Sequence, residues 1–559
     1  MTYGVSHLNT WTARYKIKGQ FINDEKEPVG DMLKTRDYNR GYTLGFNTWG
    51  TINPFNQVSK FKYNGYVSMR KINSMKSKLI TEYLVTPEGD TVGSYIGKVE
   101  NKGIQWLAGG RFEWQNIFYT GDFIHNFLAG TEVQYDANTG EGLIIDTVYN
   151  YYGVESKRRP YSFDSIPGQT ILSLYTEDKL TGHFLFDFSF MFGFRYEMYR
   201  PYAFNINGLW GDGDLVKSHQ GSFFNPRVSL ITYFTPRNQL RINFGSSSKS
   251  PPMATIYPPE SVYKWRNPVT GEIEYFRFDK TVPNLQGYKT TQIEISYDQK
   301  FINKMGITLT AYYRERHNQP KDQVQPIFTE IDNNGRKEVY FVSDQYKLSY
   351  NIGENIGKGI EFTFRTAQIK PINMNFKITA AYSYNKKPSR GYSYRYDNDE
   401  SIGQITNYKV PNVETDTLIG FYYPSSGQWR DRLQINYYIK YINKPLGLWV
   451  TLRAEQLYAD RYQNFSLIPV DYDLLTDKGK ETRDYYESII SKPPKWLFSF
   501  NVSKSLFPGA EVSFYVNNFL DDPAIWHHYN TPREVWIDYI RNPELFYGIE
   551  FSMIFDKIL

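Results

Sequence analysis

Cysteine is missing from this chain, histidine is scarce and long apolar runs do not occur. Each lack closes off a class of protein. With no Cys among 559 residues, a disulfide scaffold and any thiolate metal site are excluded. No apolar stretch reaches the roughly 18 residues that a membrane-crossing helix needs, and mean hydropathy is −0.55. Lys and Arg total 64 against 59 Asp and Glu, and the net charge of +5 is too small for this length to argue for nucleic acid. No Ser/Gly tract, Pro-rich run, charge block or fixed-period repeat marks a linker, so residues 1–559 read as one unit. Seven His leave few candidates for a general base, and Gly-x-Ser-x-Gly, His-Glu-x-x-His and phosphate-loop patterns are all absent. An enzyme is not expected; the form one would take is a barrel protease or lipase built from scattered loop residues.

Aromatic residues are what the chain has in excess. They make up 18% of it, with 49 Tyr and 38 Phe. Tyr and Trp, with an apolar body and a polar tip, suit a membrane–water interface. Their arrangement is more telling than their number. Phe184, Phe186, Phe188, Phe190, Phe192, Phe194, Tyr196 and Met198 occupy eight consecutive even positions. Leu185, Asp187, Ser189, Met191, Gly193, Arg195 and Glu197 fill the odd ones. A helix would scatter those charges around its axis, whereas a strand puts the rings on one face and the charges on the other.

The same alternation recurs. Ile104, Trp106, Ala108, Gly110, Phe112 and Trp114 oppose Gln105, Arg111, Glu113 and Gln115. Leu446, Leu448, Val450, Leu452 and Ala454 oppose Thr451, Arg453 and Glu455, and Trp496, Phe498, Phe500 and Val502 oppose Ser499, Asn501 and Ser503. Roughly 19 such segments occur, most about 10–15 residues long, where a tilted transmembrane strand needs about 9–11. Connections alternate between short and long. Thr235–Gln239, Phe301–Lys304, Asn443–Pro445 and Phe507–Ala510 are short and rich in Pro, Gly and Asn. Long connections span about 135–168, 199–225, 249–286, 318–353, 387–430, 458–494 and 520–544, as on the extracellular side of outer-membrane barrels. This parity leaves Thr417 to Tyr423 inside a loop. The pattern predicts an all-β, transmembrane antiparallel β-barrel. A soluble sandwich or propeller is disfavoured, because its strands average about 5–6 residues and its rings would face a core.

Three segments carry a family resemblance. Phe244-Gly245-Ser246-Ser247-Ser248-Lys249-Ser250-Pro251-Pro252-Met253, running on to Ile256-Tyr257-Pro258, resembles the mid-barrel segment of TonB-dependent outer-membrane receptors, in the version common in Bacteroidota. Asn355-Ile356-Gly357-Lys358-Gly359-Ile360-Glu361-Phe362 is similar to that family's Asn-x-Gly-x-Glu-Phe segment. Val516-Asn517-Asn518-Phe519-Leu520-Asp521-Asp522 resembles its penultimate-strand ending. The resemblance runs from about residue 100 to the end, and against the 22 strands of plugged transporters about 19 are expected here. Met1 to Lys18 lacks a charged-then-apolar pattern, so no signal peptide is expected, and no plug-like region precedes the first strand, so an N-terminally incomplete barrel is expected, a C-terminal piece of a longer receptor or half of a split one. The segment Asp556–Leu559 after Phe555 departs from barrels that finish on the aromatic itself.

The resemblance implies a receptor in the outer membrane of a Gram-negative bacterium, taking up a bulky, scarce solute: iron chelate, cobalamin, glycan or peptide. Implied partners are outer-membrane lipid, a plug domain, the TonB system acting through it and the solute, with a surface lipoprotein over the mouth left open. The alternative is a passive, porin-like channel without a plug. Arg111, Glu113, Asp187, Arg195, Glu197, Glu361, Arg365, Arg453 and Glu455 share inward parity, as lumen-facing or plug-contacting residues. Tyr257, Tyr263, Trp265, Tyr392, Tyr394 and Tyr396 are candidate solute contacts in the loops, since flat rings suit sugars and chelates; packing between loops is the competing role. No cofactor and no metal site are expected. His527 and His528 beside Asp521 and Asp522 would point apart in extended chain, and Asp397, Asp399 and Glu400 lack EF-hand spacing.

Overall fold

A computed structural model of the chain describes residues 2–17, 36–54, 58–80, 84–85, 91–92, 95–145, 161–211, 213–267, 269–301, 305–333, 335–388, 392–395, 409–410, 419–422, 428–463, 468–469, 477–530 and 534–554. The period-two pattern resolves into a wall of long strands. It opens with Thr2–Ile17 (β1), Arg36–Ile52 (β2), Ser59–Ile80 (β3), Tyr95–Thr120 (β4), Phe123–Ile145 (β5) and Gln169–His183 (β6). Asp187–Tyr199 (β7), Ser222–Thr235 (β8), Asn238–Lys249 (β9), Tyr288–Lys300 (β10), Gly306–Asn333 (β11) and Arg336–Arg365 (β12) follow. Met374–Lys387 (β13), Gln428–Asn443 (β14), Leu448–Gln463 (β15), Lys495–Phe507 (β16), Ala510–Asn517 (β17) and Phe546–Met553 (β18) complete it. Each pairs antiparallel with the next, and among the described residues no pairing joins β1 to β18.

Two neighbouring cross-strand rows show what the alternation builds. Leu180, Phe190, Leu230, Ile242, Ile295, Ala311, Ile360, Tyr382 and Leu433 stand opposite one another across β6–β14, and all are apolar or aromatic. One residue further along, on the other face, the row reads Ser229, Asn243, Glu294, Tyr312, Gly359, Ser383 and Arg432. The apolar side is left uncovered: Phe192 is 50% exposed and Ile360 52%. Sheets that face water do not leave rings bare in this density, but sheets that face lipid do. Ion pairs interrupt that face, among them His125 Nδ1 to Asp178 Oδ2 at 2.7 Å, with the imidazole stacked on Phe118 at 4.5 Å, and Arg461 Nη2 to Asp431 Oδ2 at 2.5 Å near the long-loop rim.

The short turns gather at one end of the wall, where Tyr119, Phe184, Phe186, Phe234, Phe301 and Phe507 are exposed. This is the belt of rings expected at a bilayer interface. From Phe184 to Tyr196 the apolar face rises about 28 Å at a 45° tilt, close to the roughly 25 Å apolar band of outer-membrane barrels.

The long connections differ from expectation in more than one place: the stretch expected as loop from about 135 begins as strand, β5 staying paired with β4 up to Ile145, and the larger departure lies further on. Residues 318–353 were predicted as loop, yet β11 and β12 continue as a paired hairpin up to Asn333 and Arg336. Bulges near Gln319, Pro320 and Ile327 absorb the proline and the polar residues that read as loop signals. The hairpin projects about 50 Å beyond the strands on either side. Ile419–Tyr422 lies outside the wall, as parity required, in a small sheet with Tyr392–Arg395 and Ile468–Pro469. Eighteen long strands lie in the described wall, against the roughly 19 segments marked by alternation.

Candidate functional site

The polar face of the wall holds a hydrogen-bonded network that crosses β4 to β9. Register brings its members together: Arg111 stands opposite Glu132, Glu132 opposite Ser173, and Ser173 opposite Glu197. At its centre, Arg195 Nη2 donates to Glu132 Oε2 at 2.8 Å and to Ser173 Oγ at 2.9 Å, while its Nε donates to Glu197 Oε1 at 2.9 Å. The other oxygen of Glu197 accepts from Ser248 Oγ at 2.5 Å, Asn225 Nδ2 at 3.0 Å and Tyr199 Oη at 3.3 Å. Arg111 Nη2 lies 2.6 Å from Glu113 Oε1, and Tyr175 Oη accepts from Arg111 Nε and donates to the same Glu113 oxygen.

Tyr175 joins the two halves. Both guanidinium groups lie over its ring, Arg111 at 5.6 Å and Arg195 at 5.3 Å from the centroid. It reaches across β5 because residue 130 is glycine: a Cβ there would stand 2.5 Å from the phenol. Glu197 accepts four bonds and Glu132 one, and two guanidinium groups stand against three carboxylates, so charge-assisted bonds tie this part of the wall together. Glu132, Ser173, Tyr175, Asn225 and Ser248 were not singled out from sequence. Glu132 carried a signal in the alternation Thr131-Glu132-Val133-Gln134-Tyr135, and Ser248 lies in the Phe244–Met253 segment.

The other residues of inward parity scatter. Arg453 Nη2 bonds Glu455 Oε2 at 2.5 Å, with its guanidinium 5.7 Å from the Tyr438 ring. Asp187 does not join Arg195 and Glu197. It sits at the short-turn rim, bonded to His183 Nδ1 at 2.8 Å, because eight residues of strand separate it from Arg195 by about 26 Å. Glu361 and Arg365 are likewise four residues apart on one strand, too far for a pair. Arg365 instead lines a cavity of about 300 Å³ at the short-turn rim with Arg237, Arg241, Asp298 and Lys300. Arg241 is bonded there to Asp298 at 2.9 Å.

Tyr263 is buried in the hairpin of Ser261–Arg266 and Ile273–Phe278, edge-on to Phe278. Trp265 packs on Phe276 and on Tyr340 of the projecting hairpin. Tyr257 follows a short helical turn, and its hydroxyl accepts from Arg200 Nη1 at 3.2 Å. Trp265 and Tyr257 thus contact neighbouring connections, while Tyr263 packs within its own hairpin. Tyr392 and Tyr394 lie on a short strand of the small outer sheet, and Tyr396, Asp397, Asp399 and Glu400 fall outside the described residues. His527 bonds Asp538 and His528 bonds Tyr485, so their rings serve different partners. Among the described residues no group of three His, Cys, Asp or Glu could hold a metal, and no helix is long and apolar enough to cross a membrane.

Comparison with known proteins bears on the whole wall. The family model described as "TonB dependent receptor-like, beta-barrel" matches residues 3–519. Among solved structures, the ferric enterobactin receptor of Pseudomonas aeruginosa superposes with a TM-score of 0.56 at 12% identity, over 99% of this chain and 67% of that one. The outer membrane transporter YddB of Escherichia coli gives 0.58 at 12% identity, over 99% of this chain and 66% of that one. At such identity the likeness carries the fold alone, and this chain spans about two thirds of those proteins' length. No curated protein sequence matches.

Proposed function

The chain belongs to the TonB-dependent receptor β-barrel family, and from that premise we propose that it forms the wall and extracellular capture loops of an outer-membrane receptor for energised solute uptake. The observation that carries the reading is the two-faced wall: bare rings on one face and a hydrogen-bonded network of charged and polar side chains on the other. A barrel of this many strands encloses a lumen too wide for its own side chains to fill. In this reading a plug domain fills it, in a longer receptor or a separate chain, and TonB acts through the plug. Arg111, Glu113, Arg195, Glu197, Arg453 and Glu455 line the plug's path; Asp187, Glu361 and Arg365 lie elsewhere on the same polar face. The solute is bulky and scarce: iron chelate, cobalamin, glycan or peptide. Outer-membrane lipid covers the ring-bearing face, and a surface lipoprotein at the mouth is compatible with the projecting loops. The three motif segments favour the Bacteroidota branch.

Two gene deletions test this reading. Loss of the receptor gene abolishes growth on, or uptake of, one solute class from a panel of ferric chelates, cobalamin, glycans and peptides. Loss of TonB abolishes the same uptake to the same degree. Uptake that persists without TonB would support the passive channel and overturn the energised receptor.

A further inference from the structure

At the short-turn rim the polar face carries a row of cations without anions to match. Register sets Lys300 opposite Gly306, Gly306 opposite Arg365, Arg365 opposite Lys377, Lys377 opposite Tyr438 and Tyr438 opposite Arg453. Arg237 joins the row from the β8–β9 turn, its carbonyl accepting from the Lys300 amide at 2.7 Å. Like charges directly opposite one another, as Arg365 and Lys377 are, weaken a sheet. The row therefore costs the wall stability unless an anion lies against it.

No anion of the wall is free to do so. Arg237, Lys300 and Arg365 line the cavity of about 300 Å³ together with Arg241 and a single carboxylate, Asp298. Asp298 is taken by Arg241 Nη2 at 2.9 Å, Gln239 Nε2 at 2.8 Å and Thr308 Oγ1 at 2.6 Å. At the far end of the row Glu455 is held by Arg453. Asp187, opposite Tyr233 beside the cavity, is bonded to His183, and Glu361 lies four residues deeper on the strand of Arg365. The cations themselves are open to a ligand. Arg237, Lys300, Arg365 and Lys377 are all exposed, and among the described residues no side-chain acceptor reaches the first three. Lys377 leans on the Tyr438 ring at 5.4 Å. Gly306 has no side chain, so the gap between Lys300 and Arg365 stays clear.

We infer that this row seats an acidic segment of the polypeptide that fills the lumen, with Asp or Glu carboxylates of the plug bonding Arg237, Lys300 and Arg365 at its periplasmic margin. Guanidinium groups bind carboxylates through paired bonds, and a neighbouring ammonium adds charge without demanding geometry. Lys300 shares its face with Glu294 and Ser296, so phospholipid phosphates on the ring-bearing side do not reach it. The inference rests on the plugged-receptor reading above, and it names the charge of the plug surface that meets β9 to β13.

Zero-length carbodiimide coupling in outer membranes carrying the full receptor tests this, because it joins an amine only to a carboxylate in contact with it. Mass spectrometry of the digest is expected to find Lys300 joined to an Asp or Glu of the plug. Lys300→Arg, which keeps the charge but offers no amine, is expected to lose that cross-link with folded gel mobility intact. Arg237→Glu/Arg365→Glu is expected to lower its yield at least about fivefold at unchanged gel mobility. Lys300 joined only to Asp298, or to nothing, would overturn the acidic seat. A cross-link to TonB would move the site to a periplasmic partner and overturn the plug assignment. TonB-independent uptake with the plug cross-link intact would sink only the uptake reading, and TonB-dependent uptake without the cross-link would sink only this inference.

Discussion

Ile295→Arg is expected to destabilise the folded wall by about 2–4 kcal/mol, read from reversible guanidinium unfolding in lipid vesicles and from loss of the heat-resistant folded band on gels. Ile295 is 46% exposed and lies mid-strand, in the row formed by Leu230, Ile242, Ala311, Ile360, Tyr382 and Leu433. No carboxylate in that row can pair with the new guanidinium, which must snorkel or draw water into hydrocarbon. The same change on the polar face is the control. Gln434→Arg, between Ala381 and Leu457 and one row from Leu433, is expected to cost under about 1 kcal/mol. Equal costs at the two positions would mean that neither face meets lipid.

Arg195→Leu is the second large effect, with an expected loss of about 2–4 kcal/mol in the same unfolding assay. The side chains of Arg195, Glu132 and Glu197 are 23%, 26% and 16% exposed, so removing the cation leaves two carboxylates half-desolvated and mutually repelling. Arg195→Lys keeps the charge but loses the fork that reaches Glu132, Ser173 and Glu197 together, and should cost less. Adding Glu132→Gln to Arg195→Leu should recover part of the loss, since the repulsion disappears. A variant as stable as the parent would show that the network is solvated and contributes nothing to the wall.

The wall could be read from sequence because a strand's period is two and the bilayer makes one face apolar. Any segment such as Phe184–Met198 therefore declares both its conformation and its orientation. Short and long connections declared which end is which for the same reason. Register is harder to read, because it depends on residues far apart in the chain. Glu132 and Arg195 are 63 residues apart, and nothing local to either predicts the bond. Parity grouped Asp187 with Arg195 and Glu197, yet parity carries no depth, and Asp187 lies at the rim with His183. The projecting hairpin was hidden by Pro320 and its polar neighbours, which a bulged strand pair accommodates.

Single-thiol scanning of β10 tests the two-faced wall most directly, and the absence of native cysteine means each variant carries one label only. Positions 292–297 would be spin-labelled in turn in the lipid-reconstituted protein, and collision rates measured with oxygen and with a water-soluble nickel chelate. Oxygen accessibility is expected to peak at residues 293, 295 and 297, with the nickel chelate favouring 292, 294 and 296 out of phase. Two profiles that rise and fall together, or that show no period of two, would contradict a strand with lipid on one side and a polar lumen on the other.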